Sequence, residues 1–205
     1  MTDKTIFQED IHNSQDPEKR TKFLQALIDI YDGDLKNWFD LEEEQKINPN
    51  KEDFSIELKD GTKIKIDRKD QTSYWNGKYN IDRVCLERKQ DINNVNNTGW
   101  TFTITKKGFD KIIFVWVKHN ELTYLLVDAP KLEVWFINNK DNYKLCSNKV
   151  SVDNITGNTW RSLFSPVPIR DLPLTCVEKW VIKGIEMNNE KFNELYDWEV
   201  YNSGY

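Results

Sequence analysis

Asp67, Glu87 and Lys89 are residues of the types that can hydrolyse a phosphodiester around a divalent cation. Carboxylate oxygens suit a hard ion such as magnesium, which polarises a phosphoryl oxygen and lowers the pKa of a bound water for in-line attack. A lysine beside them can orient that water or neutralise the charge gathering on phosphorus. Glu87 and Lys89 are two apart on a predicted strand, roughly 7 Å at ~3.3 Å per residue, so the ammonium can sit beside a metal-bound phosphate without blocking the metal. Histidine is not required by this chemistry, and neither His12 nor His119 stands in a recognisable catalytic context.

The elements that must position these groups are read from periodicity and turn signals. Asp16-Pro17-Glu18 starts a helix, Phe23, Leu24, Leu27, Ile28 and Tyr31 recur at helical spacing, and Gly33 offers a stop. A second amphipathic piece is expected around Leu35, Trp38, Phe39 and Leu41. From Asp53 the period becomes two: Phe54, Ile56 and Leu58, a turn at Asp60-Gly61, then Ile64 and Ile66 alternating with Lys63, Lys65 and Asp67. Asn76-Gly77 marks another turn, beyond which Val84 and Leu86 lead to Glu87-Arg88-Lys89. A two-residue turn pairing Trp75 with Lys78 would mix apolar and charged residues on each face. A three-residue loop pairing Trp75 with Tyr79 collects Ile64, Ile66, Val84 and Leu86 on one face and sets Asp67 opposite Glu87, with Lys89 on the same side. Patterning favours the second register, and a cation between the two carboxylates would relieve their repulsion.

Further along, Lys111 to Lys118 (KIIFVWVK) and Leu122 to Val127 are strand runs that should pair as a hairpin near the sheet centre. Leu132 to Ile137 is strand or helix. Glu178 to Tyr196 has the composition of a terminal helix interrupted at Gly184. The Asn-rich run from Asp91 to Thr98 is compositionally a loop, and Ser165 to Pro173 is a proline-fixed extended segment without readable chemistry.

Asp67, then Glu87-Arg88-Lys89 twenty residues on, then the apolar strands after Asp110 form an ordered set that resembles the PD-(D/E)xK nuclease superfamily over about residues 17 to 137. The resemblance implies an α/β (α+β) restriction-endonuclease-like fold, a mixed central sheet flanked by helices. It implies Asp67 and Glu87 as metal ligands, Lys89 as the catalytic lysine, and Mg2+ as the ion, with Mn2+ able to substitute. Asp67 follows Ile66 where the family pattern has a proline. Asp70 and Asp82 are rival first carboxylates, and Glu18 is a candidate additional ligand. Arg68, Lys69 and Lys78 around the hairpin tip are candidate contacts to a nucleic-acid backbone.

At 205 residues, with 13% aromatic residues, the chain can bury a core; residues 1–16 read as a tail and 17–205 as one domain, with 138–205 an extension of the 17–137 core. Three scattered cysteines, the absence of an apolar leader and the absence of a ~20-residue apolar run fit a cytoplasmic protein without a membrane partner. A net charge of −5 disfavours a wholly basic nucleic-acid surface but leaves room for a local groove. There is no G-x-G-x-x-G, P-loop or G-x-S-x-G, which removes support for nucleotide-cofactor and serine-hydrolase readings. The expectation is an Mg-dependent endonuclease acting on DNA, restriction-type or junction-cleaving, and a homodimer if both strands are cut. The alternatives are a ribonuclease, or a non-catalytic interaction module or inhibitor on a nuclease-like sheet.

Overall fold

The computed structural model describes residues 17–41, 52–71, 74–75, 78–79, 81–94, 96, 98–116, 121–147, 151–152 and 159–195. Helix α1 (Pro17–Ile30) buries Phe23, Ala26 and Leu27 along one stripe, as its spacing dictates. Three antiparallel strands follow, β1 (Leu35–Asp40), β2 (Phe54–Leu58) and β3 (Lys63–Asp70), with Phe54 opposite Ile66 and Gly61, at positive φ, in the β2–β3 turn. β1 replaces the expected second helical piece. Its Trp38 and Phe39 are neighbours that point to opposite sides of an edge strand, and pairing with β2 satisfies backbone groups that a one-turn helix would leave open.

Next come β4 (Tyr74–Trp75), β5 (Lys78–Tyr79) and β6 (Arg83–Lys89), a 3-10 turn at Trp100–Phe102, helix α2 (Ile104–Lys107), and strands β7 (Lys111–Val115) and β8 (Tyr124–Asp128). Helix α3 (Ala129–Asn139) is capped by Asp128, whose carboxylate accepts the Lys131 N–H. The chain continues through β9 (Cys146–Ser147), β10 (Ser151–Val152), β11 (Thr159–Trp160), β12 (Leu163–Pro168), β13 (Val177–Ile182), β14 (Ile185–Glu186) and α4 (Asn189–Leu195). The expected helix from Glu178 is therefore mostly a hairpin. Lys183 and Gly184 both take positive φ in its two-residue turn, and the helix begins only at Asn189.

The main sheet has the order β1-β2-β3-β7-β8-β13-β14, with β3 and β7 parallel and every other pair antiparallel. Both faces are covered, so β7 and β8 are apolar at consecutive positions. Ile113, Val115, Tyr124 and Leu126 pack with α1, Phe54, Ile56 and Ile66. Ile112, Phe114, Leu125 and Val127 pack on the other side with Leu132 and Phe136 of α3, Phe192 of α4, and Val84 and Leu86 of β6. Each of these fully buried side chains contributes roughly 1.5–3 kcal/mol by leaving water. The protein is thus a mixed α/β structure with a large mixed sheet and few helices, and no described helix is long and apolar enough to cross a membrane.

The predicted β3–β6 hairpin does not form. Both edges of β3 are taken, by β2 and by β7, while β6 pairs with β12 in a separate sheet of order β6-β12-β9. The short β4–β5 ladder pairs Trp75 with Lys78, the two-residue register that patterning had disfavoured. The apolar residues of β3 and β6 do not share a face: Ile66 belongs to the α1 layer, Val84 and Leu86 to the opposite one. Glu87 accordingly lies opposite Phe164, not Asp67.

Gly99 holds the 3-10 turn against β6. Its N–H donates to Arg88 O, and a Cβ built on it would lie 2.2 Å from the Glu87 carbonyl oxygen and 2.5 Å from the carbonyl carbon. The obstruction is strand backbone, which cannot rotate away. Gly99→Ala should destabilise the protein by about 3 kcal/mol, measured by urea unfolding; a loss below about 0.5 kcal/mol would contradict this packing.

Candidate functional site

Alternation along β3 separates two sets of side chains. Ile66 and Arg68 turn toward α1; Asp67 and Lys69 turn toward the layer that contains β6 and the Trp100 turn. Phe54 and Ile66 form the last rung of the β2–β3 ladder, and Asp53, the residue before it, comes next to Asp67, its carboxylate accepting the N–H of the following residue, Arg68. Both carboxylates are buried, at 9% and 3% exposure.

The two acid side chains lie close enough for the Asp67 charge to act on Asp53, and Asp53 Oδ2 accepts the Arg68 N–H at 2.7 Å. Burial first, and then the Asp67 charge, pushes the Asp53 carboxyl up to about 7, against the opposing pull of Lys69 and the Arg68 N–H. Near neutrality the pair therefore retains a proton for part of the time. The Lys69 ammonium lies 2.6 Å from Asp67 Oδ2 and 5.1 Å from the centre of the Trp100 ring. Burial pulls the pKa of that ammonium down, but Asp67, Asp53 and Glu87 outweigh it and leave Lys69 raised, hence charged.

This arrangement reassigns the residues predicted from sequence. Asp67 is in the cluster. Glu87 reaches its margin, close enough to act on Lys69, but its Oε2 accepts the Trp100 N–H at 3.1 Å. Lys89 is turned away, donating to Ile92 O at 3.2 Å, and the pairing with β12 shifts register between Glu87 and Lys89. Arg68, expected to meet nucleic acid, has a side chain only 7% exposed, pairs with Asp70 at 3.1 Å and lies over the Phe23 and Phe54 rings. Lys69, also expected at a phosphate backbone, is held on Asp67 inside the cluster. The rival carboxylates are accounted for as well, Asp70 by Arg68 and Asp82 by Arg83 at 3.3 Å. The side chains of Glu18 and Lys78 lie outside the described residues, as do His12 and His119.

Sequence reasoning missed Asp53 and the site role of Lys69. The signal was present: Asp67-Arg68-Lys69 has the same acid-x-lysine spacing that was noticed only at Glu87-Arg88-Lys89, and Asp53 stands fourteen residues earlier at the edge of the preceding strand.

Among the described residues no group of three or more His, Cys, Asp or Glu is arranged to hold a metal. Two adjacent carboxylates nevertheless fit magnesium, which is commonly bound by one or two carboxylates and completes its shell with water and substrate phosphate. The upward push that Asp67 exerts on the buried Asp53 carboxyl is the repulsion that a cation between them would relieve.

The raised Asp53 carboxyl has a consequence for stability. Its folded pKa, about 7, exceeds the unfolded value near 3.9, so the folded state binds more protons between those limits and stability falls as pH rises through about 4 to 7. Without divalent metal, Asp53→Asn should remove roughly 2–4 kcal/mol of that decline, read as the difference in unfolding free energy between pH 5 and pH 8. An unchanged pH slope in the variant would contradict the pairing of the two acids.

Compared with protein-family models, with curated proteins and with solved structures, the chain finds no match, so the functional reading rests on this geometry.

Proposed function

We propose that this chain is a magnesium-dependent phosphodiesterase acting on DNA, with Asp53, Asp67 and Lys69 as its working residues. The observation that carries the reading is the pair of buried carboxylates, Asp53 and Asp67, just beyond the last rung of the β2–β3 ladder, with a charged lysine ion-paired to Asp67. Repelling acids concentrated on a covered sheet face are costly for stability alone, whereas a site for a hard cation needs them.

The reading keeps the resemblance to the PD-(D/E)xK superfamily but moves its motif. Asp53 serves as the first acid and Asp67-Arg68-Lys69 as the acid-x-lysine triplet, in place of Asp67 and Glu87-Arg88-Lys89. A restriction-endonuclease-like fold is supported by the succession of α1, the β1-β2-β3 meander and a crossover to the parallel strand β7, with the triplet on a central strand.

Asp53 and Asp67 would hold the ion, and magnesium when bound supplies Lewis acidity and a water of lowered pKa. Asp53 gives up its proton as the pair becomes a ligand set, so loading should improve with rising pH through the neutral range. Lys69 stands where its ammonium can leave Asp67 for a phosphoryl oxygen and neutralise the charge that builds up there. Arg68 does no chemistry; its N–H orients Asp53 and its guanidinium braces β3 against α1.

A second reading follows from the same ion pair. An ammonium 2.6 Å from Asp67 already offsets part of the acid repulsion, so the cluster could serve a non-catalytic interaction module, a role that the net charge of −5 also suits. Cleavage of supercoiled and branched DNA, together with manganese calorimetry, separates the two. Asp53→Ala, Asp67→Ala and Lys69→Ala should each lower magnesium-dependent cutting by at least about 100-fold, while Lys89→Ala cuts as the wild type does. No manganese binding and no cleavage by the wild type would favour the module. Loss of cutting in Lys89→Ala but not in Lys69→Ala would return the motif to β6.

A further inference from the structure

Lysine is a compact charge on a four-carbon stem, and a lysine that must act at a phosphate has to stay in place when its carboxylate partner turns to something else. Lys69 faces that difficulty directly. Its shortest contact, Asp67 at 2.6 Å, is a group the proposed function commits to a cation, and a cation held there would also repel the ammonium. Asp53 is committed to the same ion. Glu87, the third acid acting on Lys69, spends one oxygen on the Trp100 N–H.

The partner of Lys69 that carries no charge is the Trp100 ring, centred 5.1 Å from Nζ. An indole face attracts a cation through its quadrupole, carries no net charge and does not ligate magnesium, so nothing bound between the carboxylates competes for it. The ring is itself well fixed. Its backbone N–H donates to Glu87 Oε2, Gly99 beside it is pressed on the β6 backbone, and its ring packs on the core, with Phe114 6.2 Å away between ring centres. Two of these contacts fix the backbone of the turn and one packs the ring, and together they hold a side chain that sequence alone reads as one aromatic among many.

We propose that Trp100 is a positioning residue, whose indole face keeps the Lys69 ammonium beside the Asp53–Asp67 pair when those carboxylates are engaged by a cation. The inference rests on the function proposed above. It gives Glu87 a different role from that of metal ligand: its carboxylate aims the Trp100 turn, and through it the lysine. Trp100 touches no reacting atom.

Two variants and a spectroscopic readout test this. Trp100→Met keeps a flexible apolar side chain without a ring, and Trp100→Phe keeps a ring; circular dichroism checks that both fold. In carbon-13-labelled wild type, the Lys69 Hε resonances, assigned by their loss in Lys69→Arg, should be displaced upfield by the indole ring current and remain so at saturating magnesium. Trp100→Phe should keep part of that displacement and most of kcat. Trp100→Met should lose the displacement and roughly tenfold in kcat, with KM for the cleaved DNA changed by less than about twofold. Wild-type resonances that return to ordinary positions on adding magnesium would overturn the proposal, and that titration decides even where Trp100→Met does not fold. So would wild-type kcat in a folded Trp100→Met variant that binds manganese. A wild type that neither binds manganese nor cuts DNA would overturn the functional reading, and this inference with it.

Discussion

The architecture depends on β3 being paired on both sides, its first half with β2 and its second half with β7. With β2 antiparallel on one side and β7 parallel on the other, the strand is fixed in register over most of its length and cannot present its charged face to solvent by slipping. Ile66 must then go to α1, and Asp67 and Lys69 must enter the opposite layer, where β6 and the Trp100 turn close over them. The acidic pair follows from the same constraint, because the residue that precedes the Phe54–Ile66 rung is Asp53, whose carboxylate is tied to the Arg68 N–H.

Burying that pair sets two effects against each other. Desolvation and mutual repulsion push Asp53 toward its protonated form, while Lys69 and the Arg68 N–H pull it back. The lysine, drawn by three carboxylates, remains charged in surroundings that would otherwise discharge it. The cluster is thus held by opposing charge effects, which is the property that the proposed cation site would use.

Much of the frame could be read from the sequence, for identifiable reasons. The first helix announced itself through Pro17 and its apolar spacing, the β2–β3 hairpin through strict alternation around Asp60-Gly61, and β7 with β8 through unbroken apolar runs. These signals are local. The failures were in pairing partners, which local pattern does not encode. Ile66 and Leu86 alternate equally well whether they share a face or belong to different layers, so patterning could not reveal that β6 joins β12. The expected pairing of Asp67 with Glu87 across a ladder does not occur; the acid beside Asp67 is Asp53, from the residue before β2. At Glu178, the residues before Gly184 fit helix or strand alike, and the turn at Lys183-Gly184 decided for strand.

The central claim is that Asp53 and Asp67, not Asp67 and Glu87, form the cation site. Crystals grown or soaked with manganese test it most directly, through the anomalous signal of the ion. The account predicts one manganese peak within inner-sphere distance of a carboxylate oxygen from each of Asp53 and Asp67, with the Lys69 ammonium displaced from Asp67 yet still over Trp100. A manganese ion held by Glu87, or no ion at the Asp53–Asp67 pair at saturating manganese, would contradict it.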